Sequence, residues 1–147
     1  MKRAGFTMIE LIFVIVILGI LAAVAIPKLA ATRTDASVSK GATELATIVG
    51  ELGSFYTAQG TFVGKTAAEV SNVSVNVSAT PIADSVVWTY TDDNNNSCVT
   101  ITFNNAADGN ITLAAGGNNA AVCTGIRAAA TDLIRNHSFG GSNVNWN

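Results

Sequence analysis

The sequence predicts an α+β fold in which a long N-terminal helix packs on a small antiparallel sheet, and three observations predict it. Residues 6–26 are apolar apart from Glu10, with Thr7 and Gly19 the other departures from a hydrocarbon surface. After Pro27 the apolar residues recur at helical spacing. From residue 85 onward, apolar and polar residues alternate in short runs separated by Asn- and Gly-rich turns.

The apolar run comes first in the chain. At 1.5 Å per residue, a helix over residues 6–26 spans about 31 Å, the thickness of a hydrocarbon core. Ahead of it stand only Met1, Lys2, Arg3, Ala4 and Gly5. A short basic head predicts a cytoplasmic N-terminus and an exported body. A plain single-span anchor fits this hydropathy. So does a cleaved secretory signal with Ala23-Val24-Ala25 as its A-x-A site. Neither accounts for Glu10, because a carboxylate in a membrane helix costs about 2.5–3.5 kcal/mol even on the lenient insertion scale.

Past Pro27, the residues Val38, Ala42, Leu45, Val49, Leu52 and Tyr56 form one stripe of an amphipathic helix over 28–58. Ser39, Lys40, Thr43, Glu44 and Glu51 lie opposite it. Gly41, Gly50 and Gly53 each lower helix propensity by up to about 1 kcal/mol, so packing of the stripe must supply the stability. Together with the apolar run this makes a spine of about 75 Å if straight. Pro27 removes a backbone donor and is expected to kink it, with Gly19 a second weak point.

Gln59-Gly60 ends the helix, and 59–84 reads as a connector with a helical turn at 66–70. Residues 72–78 alternate strictly and read as an edge strand interrupted by Pro81. Over 85–147 the expectation is an antiparallel meander. Val86, Trp88 and Tyr90 face one way in the first strand, and Val99, Ile101 and Phe103 in the second. A third strand fits 110–114 and a fourth 120–123. Asp92-Asp93-Asn94-Asn95-Asn96 makes a hairpin loop between the first two. The amphipathic helix covers the apolar face. The tail reads as a short helix over 126–136, then Gly140-Gly141 and a terminal segment ending near Trp146, with His137 as a solvated residue in it.

Gly5-Phe6-Thr7-Met8-Ile9-Glu10-Leu11, continued by Gly19 and Ala25-Ile26-Pro27, resembles the class III signal of type IV pilins and type II secretion pseudopilins. The likeness is close over about the first 30 residues and architectural beyond them. It implies that residues 1–5 are a leader removed by a prepilin peptidase between Gly5 and Phe6, and that Phe6 is then N-methylated. It implies that 6–27 is a transmembrane and assembly helix, with Glu10, Gly19 and Pro27 serving assembly and the segment between Gly19 and Pro27 able to lose helicity. The implied fold is type IV pilin-like, with the spine on the sheet and a disulfide-closed C-terminal region.

The role so implied is a structural subunit of a pilus-like filament. The alternatives are a pseudopilin of a type II secretion or DNA-uptake system, and a monomeric membrane-tethered binding domain. Implied partners are copies of the chain itself, the prepilin peptidase, an inner-membrane assembly platform, minor pilins and the membrane. The implied path runs from the bacterial inner membrane, with a periplasmic C-terminal domain, to an extracellular or periplasmic filament.

Composition agrees with this class. Charged residues make up 12% of the chain and its formal net charge is −2. Loss of Lys2 and Arg3 leaves 6 basic against 10 acidic side chains, a balance of −4. No basic patch marks a nucleic-acid surface. An exported domain with two cysteines favours a Cys98–Cys123 bridge over two free thiols. Type IV pilins similarly close this region with a disulfide, whereas many major pseudopilins lack one.

Catalysis finds no support. The single histidine, His137, cannot form a histidine cluster, and no phosphate loop or Ser/His/Asp grouping stands out. No cofactor is expected. If a cation is held, calcium suits the hard oxygens of Asp92, Asp93 and Asp108, although EF-hand spacing is absent. Asn95 and Asn110 each begin an N-x-S/T triplet with an acid two residues upstream, resembling the acceptor of bacterial oligosaccharyltransferases.

Overall fold

The computed structural model describes residues 5–140. It is α+β, with a helix from Met8 to Gln59 and a five-stranded antiparallel sheet. The chain divides into two compact units, residues 1–34 and 35–147. Helix α1 (Met8–Gln59) belongs to both, and it runs as one continuous helix through Gly19 and Pro27.

In the first unit nearly every described side chain is exposed, from Gly5 through Arg33. This follows from composition: residues 6–26 are apolar on all faces, and a helix without a polar face offers no preferred side to a single partner. It is long and apolar enough to cross a membrane.

The second unit has its own core. The sheet is a meander in the order β1 (Asn76–Val77), β2 (Val87–Thr91), β3 (Ser97–Asn105), β4 (Asn110–Ala115) and β5 (Asn136–Ser138). Trp88 and Tyr90 of β2, Val99, Ile101 and Phe103 of β3, and Ile111 and Leu113 of β4 are buried. Leu45, Ile48 and Leu52 of α1 complete this core, with Phe62, Ile82 and Ile126. Phe62 packs edge-on against Phe103, with ring centroids 5.4 Å apart, and Trp88 packs on the other side of Phe103 at 4.9 Å.

The buried stripe of α1 is rotated from the one expected. Ile48 and Gly41 are fully buried, while Val38, Ala42, Val49 and Tyr56 are only half-buried. Glu44 and Glu51 are half-buried rather than solvated. Glu44 accepts a 2.5 Å hydrogen bond from the Tyr90 hydroxyl, and burial together with this bond raises the Tyr90 pKa. Lys40 reaches Asp93 at 2.8 Å, a second tie between α1 and the β2–β3 hairpin.

Glu51 anchors the connector. Its carboxylate accepts from the Ser71 hydroxyl at 2.6 Å, the Asn72 backbone N–H at 3.0 Å and the Asn72 amide at 2.8 Å. These bonds hold the Glu51 carboxyl below its usual range. With Asn72 held in this way, the expected edge strand over 72–78 shrinks to β1, where Asn76 pairs with Thr89 and Val77 with Trp88. Upstream of it, Thr66 caps the short helix α2 (Ala67–Val70) in a capping box with Glu69.

Two other expectations fail. Residues 120–123 are not a fourth strand. They open helix α3 (Ala121–Ala129), in which Cys123, Ile126 and then Ala130 fall on one buried face. The expected helix over 126–136 ends at Ala129 and is followed by a 3₁₀ turn, Thr131–Leu133, and then β5. Four residues are too few to separate a period of 2 from one of 3.6, and here the 3.6 period wins. His137 therefore is not in a solvated tail. It sits on β5 opposite Ile111, half-buried, with Nε2 at 2.8 Å from the Leu133 carbonyl oxygen. Gly141 and the terminal segment with Trp146 lie outside the described residues.

Candidate functional site

Two regions carry the sequence-derived candidates, one in each unit. The first is the start of α1. Gly5, Phe6 and Thr7 precede the helix, and Phe6 is 88% exposed. The Gly5–Phe6 junction is thus exposed and outside the helix.

Glu10 does not stand alone there. The Thr7 backbone N–H donates to Glu10 Oε2 at 2.8 Å, and the Thr7 hydroxyl donates to the same oxygen at 2.6 Å. The Glu10 N–H in turn lies 3.4 Å from Thr7 Oγ1. This is a reciprocal capping box, which satisfies N–H groups that a helix start leaves orphaned. The reading of Glu10 by itself missed Thr7. The signal was present as T-x-x-E just before an apolar run.

Further along, a side chain added at Gly19 would meet nothing in the chain. Its lack of a side chain therefore makes room for no other described residue. Pro27 lies inside α1 and has no N–H to give to the carbonyl one turn earlier.

The residues ahead of Gly5 are not described, but their sequence can be compared. Residues 1–26 match the prokaryotic N-terminal methylation motif. This is the class III signal of type IV pilins and pseudopilins. The match covers residues 1–5, Phe6, Glu10 and the rest of the apolar run, and stops before the second unit. No curated protein and no solved structure matches the chain.

The second region is the disulfide-closed end of the sheet. Cys98 and Cys123 are bonded, with Cα atoms 4.6 Å apart and 25 residues of separation. Cys98 is the unpaired residue of a bulge: Tyr90 pairs with Val99 and Thr91 with Ser97. A bulge re-aims a side chain. Here it lets Cys98 be buried although strand alternation puts it on the Thr100 side. Cys123 meets it from α3 rather than from a strand.

Helix α3 is held by close approach. A Cβ at Gly41 would collide with the side chain of Ile126, and one at Gly125 would lie 2.5 Å from Val38 Cγ2. Arg127 Nη1 donates to the carbonyls of Gly116 at 3.0 Å and Asn118 at 2.8 Å, which fixes the β4–α3 loop.

The three acidic turn residues are not brought together. Asp92 and Asp93 lie in the turn before β3, and Asp108 lies in the turn after it. The Asp92 carboxylate is occupied by the N–H groups of Asn94 and Asn96 at 3.0 and 2.9 Å and by the Asn96 amide. Burial opposes its ionisation, but these bonds outweigh burial and lower its pKa. Asp108 is bonded to Asn105 at 2.7 Å. Among the described residues, the one cluster of possible metal ligands is Asp92 with the two cysteines. Their sulfurs are used by the disulfide.

Proposed function

We propose that this chain is the precursor of a structural subunit of a type IV pilus-like filament. The observation that carries the reading is the methylation motif lying on a helix whose apolar surface has no partner among the described residues. A peptidase removes residues 1–5 at Gly5–Phe6 and Phe6 is N-methylated. The helix holds the subunit in the inner membrane with the second unit outside, and then transfers into a bundle of the same helices. An assembly platform and minor pilins are the expected partners, and the role is structural rather than catalytic.

Glu10 gives the bundle its axial register. A carboxylate removed from water needs a cation or donors, and removing one partner of such a pair costs on the order of 3–5 kcal/mol. The Thr7 box serves the isolated subunit. In a bundle, a neighbour displaced along the axis brings its Phe6 amine to Glu10. The empty surface at Gly19 admits close helix approach, as small residues do in membrane bundles. The missing donor at Pro27 makes the segment between them the place to lose helicity.

Intact-mass measurement of the membrane-extracted protein, together with identification of proteins sheared from cells, tests this reading. A mature chain beginning at methylated Phe6 and abundant in sheared filaments is expected. A correctly processed chain absent from such filaments assigns it to a pseudopilus instead. A chain beginning at Met1 or Ile26 refutes the reading.

A further inference from the structure

The sequence contains five N-x-S/T triplets, at Asn72, Asn76, Asn95, Asn110 and Asn136. An acceptor triplet must present a free amide nitrogen and a free hydroxyl together on an accessible segment, so it belongs on a surface loop of an exported domain. The structure separates the five.

Asn72 donates its amide to Glu51 at 2.8 Å and is held by that carboxylate. Asn76 lies in β1, and the Ser78 hydroxyl of its triplet accepts from the Val87 N–H at 2.9 Å. Asn110 is half-buried in β4 between two strands, paired with Asn105 on one side and Ser138 on the other. The Thr112 hydroxyl of that triplet donates to Asn136 Oδ1 at 2.8 Å, which also engages the fifth triplet. Ser138, the hydroxyl of that fifth triplet, donates to the Gly140 carbonyl at 3.1 Å.

Asn95 differs from all four. It is exposed at the tip of the β2–β3 hairpin with φ +62°. Its amide nitrogen donates to no described group, and its oxygen has only a long 3.4 Å contact from Asn76. The Ser97 hydroxyl makes no hydrogen bond among the described residues. Asp93, two residues upstream, is exposed and joined to the rest only by Lys40. The turn is closed by the contacts of Asp92 with Asn94 and Asn96, and Asn96 Oδ1 also accepts from the Asn118 amide at 2.9 Å. Presenting the triplet in extended form therefore requires those side-chain bonds to release, while the Asn95 side-chain amide nitrogen itself has nothing to give up.

We infer that Asn95 is an N-glycosylation site, and the one of the five that the folded domain offers. The co-substrate is an oligosaccharide carried on a polyprenyl diphosphate. The Asn95 amide nitrogen bonds to the anomeric carbon as the bond from that carbon to phosphate oxygen breaks. The lipid diphosphate leaves with the electron pair, and the amide proton passes to a carboxylate of the transferase. This inference rests on the export of the second unit proposed above.

The test is expression of the full chain with a C-terminal acidic acceptor peptide, in a host holding a bacterial oligosaccharyltransferase and its lipid-linked donor. Glycopeptide mass spectrometry then reads each asparagine. Asn95 and the appended peptide are expected to be occupied, with the other four bare. Ser97→Ala should lower Asn95 occupancy at least tenfold, and Ser97→Thr should retain it. An occupied appended peptide with Asn95 bare overturns the site alone. Greater occupancy at Asn110 or another triplet also overturns it. A bare appended peptide overturns the export reading and the site with it.

Discussion

Replacing Cys123 by alanine should destabilise the second unit by about 3.5 kcal/mol. A loop of 25 residues is closed by the bridge, and the chain-entropy relation gives roughly that value for such a loop at 25 °C. Both cysteines are fully buried, so the alanine also leaves unfilled space in the core, which adds to the loss rather than offsetting it. A domain of this size commonly has about 5–15 kcal/mol in total, and the expected fall in melting temperature is about 10–20 °C. The assay is thermal unfolding of a soluble fragment over residues 35–147, oxidised and without reductant. Cys98→Ala and the double alanine variant should match the single one within about 1 kcal/mol, because each breaks the same crosslink. A melting curve of Cys123→Ala superimposable on the parent's would refute the argument. So would two titratable thiols in the oxidised parent.

Gly41 and Gly50 should respond oppositely to alanine. At Gly50 the added methyl meets nothing, and the gain in helix propensity should stabilise by about 0.5–1 kcal/mol. At Gly41 it meets Ile126, itself 1% exposed, and overpacking of about 1–3 kcal/mol should cancel or exceed that gain; equal stabilisation at both sites in chemical denaturation would contradict the close approach of α3. Glu51 has a lowered pKa, so its contribution is present above the ordinary glutamate value of about 4.3 and is lost as pH falls through the lower folded value. Glu51→Gln should cost about 1–2 kcal/mol at pH 7 and flatten the decline in stability below about pH 4.5, read from denaturation midpoints across pH. Glu10→Val should leave insertion, cleavage and the folded second unit intact, yet abolish filaments when it is the only subunit expressed; abundant regular filaments would sink the register role. Thr7→Ala should lower the membrane-inserted amount of the isolated subunit by removing the helix cap, worth about 0.5–2 kcal/mol, read by quantitative blotting of membrane fractions.

The parts of the fold legible in the sequence were those with long, unambiguous periods. The apolar run, the stripe around Leu45 and Leu52, and the alternation of β2 and β3 all declared themselves because each extends over several repeats. The end of the chain did not. Residues 120–123 are short, and Ala, Val and Cys suit either a strand or a helix, so only tertiary context places Cys123 on α3. Glycine was legible as a local cost but not as a contact. Gly41 looked like a defect in a helix, yet it is where α3 comes close. Polar residues on the outer side of α1 looked solvated because pattern alone cannot show that Glu51 meets Ser71 and Asn72 from 20 residues away. At the candidate site, Glu10 was conspicuous as a charge in hydrocarbon, whereas Thr7 was overlooked because a hydroxyl there costs little.

If the chain is processed and assembled as proposed above, the same capping box gives a physical reason for processing to precede assembly. In the precursor, Phe6 is joined to Gly5 by a peptide bond, and among the described residues the donors to the Glu10 carboxylate are those of Thr7. A neutral box satisfies the carboxylate's lone pairs but does not itself neutralise its charge. Cleavage at the proposed junction would add an amine one residue before Thr7. The isolated subunit then holds a donor set and a cation at one helix end, within reach of one carboxylate. A second subunit can offer an equivalent amine from outside. Exchange of one amine for the other breaks no net ion pair, while the apolar helices exchange lipid for each other. On the proposed reading the carboxylate selects among axial offsets without opposing association, and the apolar surface supplies packing without selecting an offset. A helix with the apolar surface alone would insert and aggregate in any register, and a helix with the carboxylate alone would not stay in the membrane.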